Sequence, residues 1–237
     1  MSEKEQVLLA DLFNSFQGEF PYQGRFATFI RFSKCNLKCK WCDTMENNLD
    51  MKTKPYTYQD INDLVAKSNM LTFTGGEPSL YTSEMLDIAD YIVSANIYLS
   101  NITIETNGVQ LGNLYEFVSQ LSTIIPNAQG LCRIVWSPKF YNKNLSDIMV
   151  GNLYDIFDPK FTLIKLVSEP NELTAVENFI SIALNTYGIK VKRNIAIMFH
   201  TDANDKYSDD NMHKAMEIAT RYGVAISTRI HLEHNFK

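Results

Sequence analysis

Apolar residues recur along this chain in two alternating rhythms. Short β-type runs occur at Met70 to Phe73, Ile102 to Glu105, Arg133 to Trp136, Phe161 to Val167, Asn194 to Phe199 and Val224 to Ile230. Between several of them, apolar positions repeat with the period of a helix: Met85, Ile88, Ala89, Ile92; then Val176, Phe179, Ile180, Ala183; then Met212, Ala215, Met216, Ala219. Thr82 and Ser83 before the first helix, and Ser208 before the last, are N-cap candidates. Upstream, Val7 to Phe13 and Phe26 to Phe32 read as further strands. Strands that alternate with helices form a mainly parallel sheet, because a crossover helix returns the chain to the same end. The pattern predicts one α/β domain over residues 1–237, either doubly wound or a partly closed barrel. Both architectures place their sites at strand carboxyl ends. Polar turn clusters fall at three such ends: Thr74-Gly75-Gly76-Glu77-Pro78, Glu105-Thr106-Asn107-Gly108 and Ser137-Pro138-Lys139.

Composition narrows the chemistry. The chain has 237 residues, 45% of them hydrophobic, with 22 basic and 27 acidic side chains and a formal charge of −5. That size can bury a core without covalent staples, and the acidic balance gives no footprint for direct nucleic-acid binding. Apolar stretches such as Phe179 to Leu184 fall far short of the roughly 20 residues of a membrane span. The first residues lack the basic-then-apolar order of a secretion signal, so the expected location is the cytoplasm. Thiols stay reduced there, and clustered cysteines are read as metal ligands or reactive groups. Of the 4 cysteines, Cys35, Cys39 and Cys42 share one short segment, while Cys132 sits in an apolar run as a core residue. Structural zinc takes four ligands, and the histidines, His200, His213, His231 and His234, all lie late in the chain. An iron–sulfur cube also takes four; three cysteines leave one iron open for another ligand.

The run Cys35-x-x-x-Cys39-x-x-Cys42, with Trp41 before its last cysteine, resembles the signature of radical S-adenosylmethionine enzymes. Gly75-Gly76-Glu77-Pro78 is similar to that superfamily's Gly-Gly-Glu motif, although alone it also reads as an ordinary strand-to-helix turn. A wider set resembles the 7-carboxy-7-deazaguanine synthase family: Ser15-Phe16-Gln17-Gly18-Glu19, Gly24 to Phe32, and Cys35-Asn36-Leu37-x-Cys39-x-Trp41-Cys42-Asp43-Thr44. The three turn clusters and Arg229-Ile230-His231 follow in the family's order. The resemblance implies a single-domain, open barrel of the radical S-adenosylmethionine type. Residues 10–34 would form a substrate-binding segment, and a carboxyl-terminal tail would close the site.

It implies a lyase that contracts the ring of 6-carboxy-5,6,7,8-tetrahydropterin to 7-carboxy-7-deazaguanine with loss of ammonia, on the route to queuosine. Its cofactors would be a [4Fe–4S] cluster on Cys35, Cys39 and Cys42, S-adenosylmethionine, and Mg2+ at Thr44. Cofactor contacts map to Trp41, Asp43, Gly76, Glu77, Glu105, Asn107, Ser137, Pro138 and Lys139. Substrate contacts map to Phe16, Gln17, Gly18, Glu19, Arg31, Thr74, His231 and Lys237. In residue chemistry, Glu19 and Gln17 suit the donors and acceptors of a pterin edge, and Arg31 offers a planar fork for its carboxylate. Those two charges would otherwise be solvated surface groups. A homodimer and an electron donor such as flavodoxin are family expectations; nucleic acid and membrane are not expected partners. The chain departs from the family's glycines at Phe20 and Lys34, and its segment Met198-Phe199-His200-Thr201 does not align with the family's late cofactor segment. Two other readings stand beside this one: another small radical enzyme, such as a glycyl-radical activase, and a non-enzymatic zinc module.

Overall fold

The structure is a computed structural model and describes residues 6–39, 42, 51–168, 172–199 and 209–229. After β1 (Gln6–Leu9), β2 (Asp11–Phe16) and β3 (Phe26–Phe32) come β4 (Lys54–Thr57) and α1 (Tyr58–Ser68). Strand and helix then alternate: β5 (Met70–Gly75), α2 (Thr82–Ser94), β6 (Asn101–Thr106), α3 (Leu111–Ile124) and the short α4 (Ala128–Leu131). They continue with β7 (Cys132–Trp136), α5 (Lys143–Asp155), β8 (Thr162–Ser168), α6 (Leu173–Tyr187), β9 (Ile195–Phe199), α7 (Asp209–Tyr222) and β10 (Ala225–Ser227).

An eight-stranded sheet runs in the order β10-β9-β8-β7-β6-β5-β3-β2. Only the β2–β3 pair is antiparallel, with Asp11 opposite Arg31 and Phe16 opposite Phe26. From β3 onward each new strand joins on the same side of the last. Crossovers of one hand then stack every helix on one face, whereas a doubly wound sheet reverses its order partway. The partly closed barrel is therefore the correct alternative. β2 and β10 do not pair among the described residues, so the barrel stays open.

Strand parity divides the sheet chemically. Ile30, Phe32, Leu71, Phe73, Ile102, Ile104, Ile134, Trp136, Ile164, Leu166, Ile195 and Ile197 face the helices and are buried in one cluster. Their neighbours of opposite parity include Thr72, Thr103, Glu105 and Lys165, so the concave face carries polar and charged groups among its apolar ones. The helix stripes of α2 and α6 are buried as the periodicity predicts. Trp136 anchors the centre: it is fully buried, lies edge-on to Phe179 at 5.5 Å, and donates from Nε1 to the Asn107 carbonyl at 3.2 Å.

Several local expectations need correction. Val7 to Phe13 is two strands, because β1 leaves the main sheet to pair with β4. The first predicted helix is not capped by Thr82 or Ser83; Tyr81 occupies the cap position, following a 3-10 turn over Pro78–Leu80, and makes no side-chain cap bond. In α7, Ala215, Ile218 and Ala219 are buried while Met216 is 48% exposed, so the apolar stripe turns away from Met216. The last strand is shorter than Val224 to Ile230, and Ser208 lies outside the described residues. Helices α1, α3 and α5 were not anticipated; α1 begins on a reciprocal capping box, Thr57 Oγ1 accepting from the Asp60 amide at 3.0 Å while Asp60 Oδ2 accepts from the Thr57 amide at 2.8 Å.

Replacing Trp136 removes both its packing and its hold on the loop after β6. Trp136→Ala is expected to cost about 3–5 kcal/mol in urea unfolding of the full chain; a loss near zero would show that the indole does not organise this core.

Candidate active site

The carboxyl ends of β3, β5, β6 and β7 open onto a cavity of about 350 Å3. Sheet register brings its side chains together: Arg31 stands beside Thr74, Glu105 beside Val135, and Lys165 beside Ala196, all at concave-facing parity. The cavity has a thiol end and a charged end.

Cys35, Cys39 and Cys42 border the thiol end. The Leu37 amide donates to Cys35 Sγ at 3.4 Å, and Asn107 Nδ2 reaches the same sulfur at 3.8 Å and Asn36 Oδ1 at 2.8 Å. Burial pushes the Cys35 thiol up to about 11. It raises Cys39 too, against the pull of the Lys139 cation. A metal bound there would take the place of those protons. Among the described residues no three Cys, His, Asp or Glu side chains close on one point as a finished metal site. The thiols thus border the cavity without converging, yet three soft donors from one loop, facing open space, fit a cluster with one uncommitted iron.

The Gly-Gly-Glu segment holds the cysteine loop from behind. The Gly76 and Glu77 amides donate to the Phe32 and Lys34 carbonyls at 2.8 and 2.7 Å. A Cβ on Gly76 would lie 1.9 Å from the Lys34 carbonyl oxygen, so only glycine permits this approach. Gly75 has φ +105, and a Cβ there would lie 2.4 Å from the Phe32 carbonyl oxygen. The Glu77 carboxylate is buried and accepts from Ser79 N at 3.0 Å, Asn107 N at 2.8 Å and Thr106 Oγ1 at 2.5 Å. Burial pushes its pKa up against these hydrogen bonds. Glu77 therefore ties β5 to β6 beneath the cavity.

At the charged end, Glu19 is gripped from two sides: Lys165 Nζ pairs with Oε2, and Arg229 Nε lies 3.7 Å from Oε1. Lys165 is 5% exposed; burial pulls its pKa down, and the Glu19 and Glu105 carboxylates more than offset this, for a net rise. Glu105 accepts from Gln17 Nε2 at 3.1 Å and from Thr74 Oγ1 at 2.9 Å. Arg31 lies over the Phe13 ring at 5.6 Å, and its buried Nε has no hydrogen-bond acceptor among the described residues.

Phe16, Gln17, Gly18, Glu19, Arg31 and Thr74 from the substrate set line this one cavity. So do Gly76, Glu77, Glu105, Asn107, Ser137 and Lys139 from the cofactor set. Pro138 is buried behind its neighbours and does not face the cavity. Trp41, Asp43, Thr44, His231 and Lys237 lie outside the described residues, as do His200 and Thr201. Phe20 stays out of the wall, its amide donating to Ser227 Oγ at 2.9 Å, and Lys34 is exposed. Phe20 thus lies at a seam between the loop after β2 and β10. Cys132 is fully buried, its thiol pushed up to about 12 by burial, in keeping with a core role. Sequence reasoning missed Lys165 as a site residue. Its signal was a lone lysine inside the apolar run Thr162-Leu163-Ile164-Lys165-Leu166-Val167, a charge that a buried strand tolerates only with a partner. Arg229 and Met198 also line the cavity.

Residues 23–134 match the family described as "4Fe-4S single cluster domain". The chain is also similar to 7-carboxy-7-deazaguanine synthases. The relative from Thermoplasma acidophilum is 36% identical over 104 residues, 43% of this chain and 47% of that protein. The one from Bacteroides thetaiotaomicron is 39% identical over 100 residues, 42% of this chain and 51% of that protein. In these alignments the chain spans about half the length of the relatives. An alignment with the synthase of Halobacterium salinarum is longer, 20% identical over 94% of this chain and 88% of that one. The crystal structure of QueE from Escherichia coli shares the fold, with TM-score 0.60 and 20% identity over 94% of this chain and 93% of that chain. No helix among the described residues is long and apolar enough to cross a membrane.

The thiol end can be tested without substrate. After anaerobic reconstitution with iron and sulfide, Cys35→Ala, Cys39→Ala and Cys42→Ala are each expected to lose most bound iron and the brown chromophore. Cys132→Ala is expected to keep both; a loss of iron there equal to the others would overturn the division of the cysteines.

Proposed function

We propose that this chain is a radical 7-carboxy-7-deazaguanine synthase, converting 6-carboxy-5,6,7,8-tetrahydropterin to 7-carboxy-7-deazaguanine with release of ammonia. The observation that carries this reading is one cavity with three cysteine thiols at one end and a group of charged side chains at the other. When bound, the cluster and S-adenosylmethionine supply reversible hydrogen-atom abstraction. Cys35, Cys39 and Cys42 would hold the cluster, and the backbone at Gly76, with Ser137 and Lys139, would flank S-adenosylmethionine.

The chain's own residues then set which molecule is presented. Glu19, fixed by Lys165 and Arg229, offers its remaining lone pairs to the N–H donors of the pyrimidine edge. Gln17 and Glu105 extend that hydrogen-bonding surface. Arg31 lines the cavity with a guanidinium whose buried Nε has no acceptor among the described residues, a group suited to a carboxylate. With all five groups ionised, Arg31, Lys165 and Arg229 stand against Glu19 and Glu105, an excess of one positive charge among the described residues of this end. That balance favours a monoanion over a neutral pterin. A glycyl-radical activase would have no use for this buried recognition group.

Several family features belong to the same proposal: Mg2+ at Thr44 with oxygens of the substrate, closure by His231 and Lys237, a flavodoxin-type reductant, a homodimer and a cytoplasmic location. So does the division into one radical domain with residues 10–34 as its substrate segment and a carboxyl-terminal tail closing the site; the hydrogen bond from the Phe20 amide to Ser227 Oγ, which joins that segment to the last described strand, supports it.

Anaerobic incubation of reconstituted protein with S-adenosylmethionine, reductant and the carboxytetrahydropterin is expected to yield 7-carboxy-7-deazaguanine by mass spectrometry. Cleavage of S-adenosylmethionine with no binding or turnover of the pterin would reject this substrate while leaving the radical class intact. Arg31→Ala is expected to raise the KM for pterin by at least about tenfold, the loss of one charged hydrogen bond, with little change for S-adenosylmethionine. Equal losses for both would contradict its role. Lys165→Met is expected to lower kcat/KM for pterin more than Lys165→Arg does, while the rate of uncoupled S-adenosylmethionine cleavage holds; identical effects of the two variants would remove the cation from the argument.

A further inference from the structure

On the outer helical layer, α1 and α2 enclose a second cavity of about 230 Å3 that shares no wall residue with the first. Tyr58 and Asn62 face it from α1, and Asp87, Asp90 and Tyr91 from α2, at the three- and four-residue spacings that put side chains on one helix face. Tyr58 and Tyr91 stack with ring centroids 4.9 Å apart. Asn62 is 3% exposed, and its Oδ1 accepts no hydrogen bond among the described residues. A buried acceptor left without a donor weakens a fold, and an apolar side chain of similar volume would fill the position at lower cost. Among the described residues the wall holds two carboxylates, two aromatic rings, this carbonyl and the side chains of Gln59 and Ser94, and no basic residue.

Such a wall is built for a positive group that also donates N–H. Carboxylates supply the counter-charge, tyrosine rings attract cations and pack methylenes, and Asn62 Oδ1 needs a donor. The volume lies below the roughly 300 Å3 at which pockets for drug-sized molecules begin, so the occupant is the size of one side chain. We propose that the α1–α2 groove binds a primary alkylammonium group, supplied by a short free amine or by a lysine side chain. A quaternary ammonium lacks the N–H for Asn62, and a hard divalent cation has no use for the aromatic walls. This site is independent of the radical chemistry, and its failure would leave the proposed function untouched.

The test is calorimetric or NMR titration of the full chain at low ionic strength with n-butylamine, putrescine and N-acetyl-lysine methylamide. Saturable binding is expected, with the tighter of the last two naming the source. Asp90→Asn, at an exposed position, is expected to weaken it by about tenfold, and butyltrimethylammonium to bind more weakly than n-butylamine. Asn62→Leu is expected to abolish amine binding while leaving the urea midpoint unchanged or raised. No saturable binding of any primary amine below about 10 mM would overturn the proposal. So would binding of Mg2+ in its place, or an Asn62→Leu variant that loses stability and keeps its amine response.

Discussion

Lys165 imposes the constraint on which the interior depends. A lysine on the concave face of a parallel strand, almost wholly out of water, cannot remain charged without a counter-ion close by. Glu19 provides it from the loop after β2, a separation of 146 residues along the chain. That pairing draws the loop across the mouth of the open barrel, where Phe20 meets Ser227 and Glu19 meets Arg229. The gap between the edge strands is bridged by side chains, and the bridge is itself the floor of the charged end. Closing the fold and building the charged end of the cavity are one event.

The two ends of the cavity are organised by different physics. At the charged end, long side chains are fixed by each other's charges, so position follows from electrostatics and strand register. At the thiol end, position follows from backbone contact: Gly75 and Gly76 have no side chains, and the loop from Phe32 to Lys34 rests directly on them. Glu77 then locks that platform to β6 through Thr106 and Asn107. The Gly-Gly-Glu motif is thus a steric seat for the cysteine loop as well as a wall of the cavity.

Much of this was legible in the residues. Phe26 to Phe32 reads as a strand because almost every position is apolar, and both its faces are covered in the fold. The cysteine spacing and the polar turns were visible because they interrupt apolar runs at strand ends. Lys165 was not: a single charge within an apolar run looks like noise until the strand's parity is known. Helix α5 escaped because Gly151 and its asparagines dilute the helical period, and α1 because a polar Asn62 stands on its buried face. The break between β1 and β2 was hidden for another reason, since a strand's change of partner leaves no mark on hydrophobicity.

The sheet from β3 onward is ordered as the chain is ordered, so each strand can dock on its predecessor as it leaves the ribosome. The contact between Phe20 and Ser227 breaks that order, joining positions 207 residues apart. Synthesis must therefore reach the final strand before the early loop finds its partner and the mouth of the barrel narrows. Until then the thiol loop lies beside an unfinished, water-filled trough. The enclosed cavity exists only once both ends of the described chain have met.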